Sequence, residues 1–108
     1  MGREKVTEAI KRCKVFILML SKVSIKSQHV MNGVAQAKEF GKPILPVYLE
    51  PVEVPEPLQT YLIGTQPIKL YQGNEKENFQ AILEALARLG VNMGDLEKPA
   101  DGTALLVG

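Results

Sequence analysis

A single cysteine, a single histidine and no tryptophan are the scarcities of this 108-residue sequence, and the first two each close a class of chemistry. Cys13 has no second cysteine to oxidise with. With His29 it supplies only two of the four ligands that a structural zinc site takes, so neither metal nor redox chemistry is expected. No apolar run approaches the roughly 20 residues that span a bilayer. The basic, amphipathic start lacks the apolar core of a signal peptide, so a cytoplasmic protein without a membrane partner is the expectation. Gly-rich phosphate loops and GxGxxG are absent. The length suits one core and is too short for two, and 45% hydrophobic with 23% charged residues is ordinary for a globular domain.

Net charge is nearly absent as well, at +1, but that total hides a polarity. Residues 1 to 42 hold nine Lys and Arg against three Glu, and residues 43 to 108 hold four against nine acidic residues, giving +6 and −5. Two solvated faces are the commoner meaning of such a split. The sharper one is head-to-tail association, in which the basic side of one copy meets the acidic side of the next. Nucleic acid is not expected as a partner: Phe16 and Phe40 are the aromatics of the basic half, and neither falls where it could stack on bases.

What is present is organised around residues 14 to 49. The run VFILML at 15 to 20 is unbroken, apolar and rich in branched side chains, which predicts a parallel strand covered on both faces. Ser27 can cap a following helix, in which Val30, Val34 and Ala37, with Met31 and Phe40, recur at helical spacing. Gly41 and Pro43 stop that helix, and a second strand at 44 to 49 completes a βαβ unit. Pro46 within that strand predicts an edge or a bulge, since proline lacks the amide hydrogen a ladder uses. Before the unit, Val6, Ala9, Ile10 and Cys13 mark a helix over 3 to 13.

After the unit come the stiff acidic loop EPVEVPEP, a short helix over PLQTYLIG started by Pro57 and ended by Gly64, and a third strand at 66 to 71. The last helix carries a capping box, Asn74 with Glu77. Its apolar stripe is Phe79, Ile82, Leu83, Leu86 and Leu89, and Gly90 closes it. Residues 1 to 90 therefore read as the domain. Residues 91 to 108 read as a tail, flexible or docked on a partner, whose apolar end at 104 to 107 could instead pair with a free sheet edge.

In an open parallel sheet, ligands bind outside the carboxyl ends of the strands, here at 21 to 27, 50 to 55 and 71 to 74. The first of these loops leads into a helix N-terminus, where free amides favour an anion, and Ser24 and Ser27 add hydroxyls. Ser27 and His29 make a poor nucleophile and base, because residues two apart at a helix start point in different directions. Glu50 and Glu53 could form an acid and base pair, though an exposed acidic loop is the commoner outcome for such residues.

The ordered series of a serine-spaced loop after an apolar strand, GKPILPV, the acidic proline-bearing loop and LIGTQPI resembles the C-terminal portion of a bacterial-type Toll/interleukin receptor (TIR) domain, over roughly residues 6 to 90. The resemblance implies an α/β, flavodoxin-like, three-layer fold with a parallel sheet, ordered 2-1-3-4-5 in the family. It also implies a module that assembles with its own kind in signalling or defence. Many members cleave NAD, so NAD is implied as substrate or ligand, with Ser24, Ser27, His29 and Asn32 as the cofactor-binding positions.

Two departures modify this picture. In the family's pattern S-x-W-x-x-x-E, beginning at Ser27, His29 stands for the tryptophan and Gly33 for the catalytic glutamate. The resemblance thus implies association without catalysis, NAD hydrolysis and non-cleaving nucleotide binding being the alternatives. The family's first two strands and first helix have no counterpart, so the fold is expected to be N-terminally truncated. The first strand should then have an open edge, covered by a second copy in a homodimer, by the tail, or by another TIR domain.

Overall fold

A computed structural model describes residues 3 to 91 and 104 to 107. The elements run α1 (Arg3–Arg12), β1 (Val15–Leu20), a 3₁₀ turn (Ser24–Lys26), α2 (Gln28–Glu39), β2 (Ile44–Tyr48), α3 (Glu56–Gln59) and a second 3₁₀ turn (Thr60–Leu62). They continue with β3 (Ile68–Lys69), α4 (Glu75–Arg88) and β4 (Ala104–Val107). The four strands form one parallel sheet in the order β3-β2-β1-β4. The fold is α/β and flavodoxin-like, in three layers.

The apolar run of β1 explains the layering. Successive side chains of a strand point to opposite faces, so a strand without polar residues must be covered twice. Phe16, Leu18 and Leu20 pack with Ile44 of β2, Ile10 of α1, Val30, Val34 and Ala37 of α2, and Leu58 of α3. Val15, with Leu45 and Val47 of β2, packs on Ala85 and Leu86 of α4. On the first face α1 and α2 are also joined by polar contacts. The Thr7 hydroxyl donates to Gln36 Oε1 at 2.9 Å, and the Lys11 ammonium lies 5.5 Å from the centre of the Phe40 ring.

Local signals place the helix ends. Ser27 Oγ accepts from the Val30 amide at 3.2 Å, and Asn74 Oδ1 accepts from the Glu77 amide at 2.8 Å. Gly41 and Gly90 follow α2 and α4 with φ of 70° and 93°, the left-handed conformation in which a side chain is strained.

Several expectations need correction. Pro46 lies in the interior of β2 without a bulge, opposite Leu18 in unbroken register. Parallel ladders alternate sides along a strand. The Pro43 carbonyl and the Leu49 amide bond β1, whereas the Tyr48 carbonyl accepts from Leu70 on the β3 side. By that alternation Pro46 faces the β3 side, where pairing starts only at Val47 opposite Ile68, so its missing amide removes no ladder bond. The third strand is shorter than expected, two residues in place of six. Phe79 is not core: 61% of it is exposed, in the first turns of α4.

The second edge of β1 is occupied by the chain itself. Residues 104 to 107 pair with residues 15 to 18, from Val15 opposite Ala104 to Leu18 opposite Val107. The expected open edge is therefore closed over those four residues, and a second copy is not needed to satisfy the backbone groups there. Of the rest of the expected tail, residues 92 to 103 and 108 lie outside the described residues.

Candidate functional site

Two loops meet at the carboxyl edge of the sheet. The first, leaving β1, is held by a reciprocal serine clasp. The Ser21 amide donates to Ser24 Oγ at 2.9 Å, the Ser24 amide donates to Ser21 Oγ at 3.1 Å, and the Ser24 hydroxyl donates to the Met19 carbonyl at 2.7 Å. Ser24 is 2% exposed. A buried hydroxyl needs partners, and this one has found them within its own loop. The second loop, leaving β2, is tied to the first through Glu50, whose carboxylate accepts from the Lys22 amide at 2.8 Å. Gln59 Nε2 donates to the Val54 carbonyl at 2.8 Å and braces the loop from behind.

Between the loops lies an open cleft of about 200 Å³, lined by Ser24, Lys26, Ser27, Gln28, Met31 and residues of the proline loop. Of the four residues expected to bind a cofactor, Ser24 and Ser27 reach this cleft, with Ser24 Oγ engaged in the clasp and Ser27 Oγ in the α2 cap. His29 and Asn32 are exposed and outside its lining, Asn32 Oδ1 accepting from Gln28 Nε2 at 3.0 Å. No carboxylate among the described residues lines the cleft. Ser27 Oγ accepts the Val30 amide and has no hydrogen bond to His29 among the described residues.

Gly33 sits in the regular part of α2, buried, with no positive φ. A β-carbon there would stand 3.4 Å from Phe16 Cζ and 3.7 Å from its Cε2. The position faces the core beneath the helix, and a side chain placed on it would start towards Phe16 instead of towards the cleft.

The opposite, amino edge of the sheet carries a feature that the sequence motifs did not point to. A second cleft, of about 410 Å³, opens where β2 begins, between the last turns of α2 and α4 and the segment 61 to 66. Lys38, Lys42 and Arg88 line it together with Tyr61, and no acidic residue among the described residues does. Ile63 stands on its rim, 76% exposed. Lys38 and Arg88 fall there because each is the basic residue in the last turn of its helix, where the carbonyl end of the dipole favours a cation. No ion pair joins any of the three to a described residue. The signal available in the sequence was Lys38 and Lys42 four residues apart across a helix stop.

Cys13 is buried below α1, its thiol donating to the Ile10 carbonyl at 3.2 Å. Burial pushes that thiol up from its ordinary pKa, against a smaller downward pull from the Lys42 charge, which marks it as a packing residue. Among the described residues, no group of three or more His, Cys, Asp and Glu could hold a metal ion, and no helix is long and apolar enough to cross a membrane.

Comparison with known proteins agrees with this architecture. The family model described as TIR domain matches residues 3 to 86. No curated protein and no solved structure matches the chain.

Proposed function

The chain belongs to the TIR-domain family, and from that membership we propose that it works as a protein-protein association module of a signalling or defence system, without catalysis of its own. The observation that carries the reading is position 33. The residue matched to the family's catalytic glutamate is a glycine whose missing side chain would point at Phe16, inside the core. The carboxyl-edge cleft is small, and no carboxylate among the described residues lines it to stabilise a developing cation or to move a proton during glycosidic cleavage. Ser24 and Ser27, the hydroxyls expected to meet a nucleotide, already serve the loop and the helix cap. The motifs GKPILPV and LIGTQPI favour the bacterial kind of domain. Its partner is a second copy or another TIR domain.

The experiment pairs two measurements on the purified chain. Incubation with NAD is expected to release no nicotinamide, and light scattering at micromolar concentration is expected to give a mass above that of one chain. Turnover that disappears in Glu50→Gln would assign NAD hydrolysis instead. Heat on calorimetric titration with NAD or ADP-ribose, without turnover, would assign nucleotide binding.

A further inference from the structure

We infer that the basic cleft at the amino edge of the sheet is the receptor for the acidic loop at the carboxyl edge of a second copy. The inference rests on the association reading and names the two surfaces it would use.

The loop has the complementary chemistry. Glu53 and Glu56 are exposed, as are Pro51, Pro55 and Pro57, and Leu49 beside them is 43% exposed. Prolines fix the backbone, so the loop loses little conformational freedom on docking, and the Gln59 bond to Val54 holds it further. The receptor offers Lys38, Lys42 and Arg88 for the carboxylates, Tyr61 as an aromatic surface of the kind on which proline segments dock, and exposed Ile63 for the apolar contact.

Position decides that the contact is between copies. The cleft adjoins the start of β2 and the loop leaves its end, so the length of that strand, roughly 15 Å at about 3.3 Å per residue, separates them within one chain. A surface at one end that fits a different surface at the other makes a heterologous contact, which repeats into a ring or an open filament. Three cations without a described ion-pair partner in one cleft, facing two exposed carboxylates on a stiff loop, supply the charge complementarity that fixes register and raises the encounter rate.

Charge reversal tests both surfaces. One variant carries Lys38→Glu and Arg88→Glu, and another carries Glu53→Lys and Glu56→Lys. All four residues are exposed, so circular dichroism and thermal melts should match the parent closely enough to show a folded chain. Each variant alone is expected to self-associate at least about tenfold more weakly than the parent by sedimentation velocity. An equimolar mixture of the two is expected to recover assembly, because the parent loop of the first meets the parent cleft of the second and the reversed pair meets in turn. Raised salt should weaken the parent assembly.

Parent-like association of either variant alone would overturn the loop-in-cleft contact while leaving the association reading standing. Weak association of both variants with no recovery on mixing would overturn it equally. A parent chain that stays monomeric with itself would overturn the self-docking inference, and binding to a second TIR domain would then show whether the association reading survives.

Discussion

Two substitutions at Gly33 separate a core position from a lost active-site position. Alanine adds one methyl group to the inward side of α2, 3.4 Å from Phe16 Cζ, at the near end of ordinary van der Waals contact. Replacing a helix-interior glycine removes a penalty of about 0.8 to 1 kcal/mol, and the ring need yield only slightly to receive the methyl. Gly33→Ala should therefore stabilise the fold by about 1 kcal/mol, a rise in Tm of roughly 4 to 8 °C for a domain of this size. Glutamate at the same place is the reverse case. Overpacking costs about 1 to 3 kcal/mol, and a carboxyl group without a buried partner costs a further 1 to 3 kcal/mol or so.

Burial in that variant would also raise the folded-state pKa of the new carboxyl above the unfolded value of about 4.3. Its penalty is then smallest below that pH and grows as pH rises towards the folded value, where the unfolded chain ionises and the folded one does not. Urea denaturation of parent and both variants at pH 7 and at pH 4.5 reads all three effects. The reasoning is refuted if Gly33→Glu keeps the parent's stability at pH 7, or if Gly33→Ala loses more than about 1 kcal/mol. The glutamate variant is also expected to release no nicotinamide from NAD, because its carboxylate starts on the wrong side of the helix.

Three further outcomes follow from the contacts described. Ser24→Ala removes the donor to Met19 and the acceptor for the Ser21 amide, both part-buried, and should cost about 1 to 3 kcal/mol by chemical denaturation. Asn74→Ala removes the α4 cap and should cost about 1 kcal/mol, with Asn74→Asp recovering most of it. Cys13 should resist a thiol reagent in the native chain and react on unfolding. Because burial raises its folded pKa, stability should fall as pH climbs past about 8.5, the unfolded thiol's value, and less so in Cys13→Ala.

The βαβ unit is legible in the sequence because strong signals agree there. An apolar run, a serine cap, a helical stripe and a Gly-Pro stop all specify the same arrangement, and β1, α2 and β2 lie within a residue or so of expectation. Pro46 misled because a sequence shows that an amide is missing but not which neighbour would have received it. Phe79 misled because it shares the helical phase of the inward residues while standing at the end of α4 where β3 is only two residues wide.

The candidate site was less legible. Ser24 and Ser27 are hydroxyls before a helix, which suits a ligand or a fold equally, and only distances distinguish the two uses. The basic cleft was the least legible part. Its cations come from α2, the turn after it and α4, and nothing in their spacing says that two helices on opposite faces of the sheet both end at the start of β2. The imbalance of charge between the two halves of the sequence pointed towards it without giving its address.

The pairing of β4 with β1 has a consequence for how the molecule opens. Val15 and Ala104 are neighbours in the sheet yet nearly the whole chain lies between them, which makes this the longest-range strand pairing in the fold. The βαβ hydrogen bonds between β1 and β2 do not depend on it. Detachment of residues 104 to 107 would leave those bonds in place, so the amides of residues 15 to 18 that face β4 should exchange with deuterium sooner than those facing β2. One strand would then record two protection levels on its two sides.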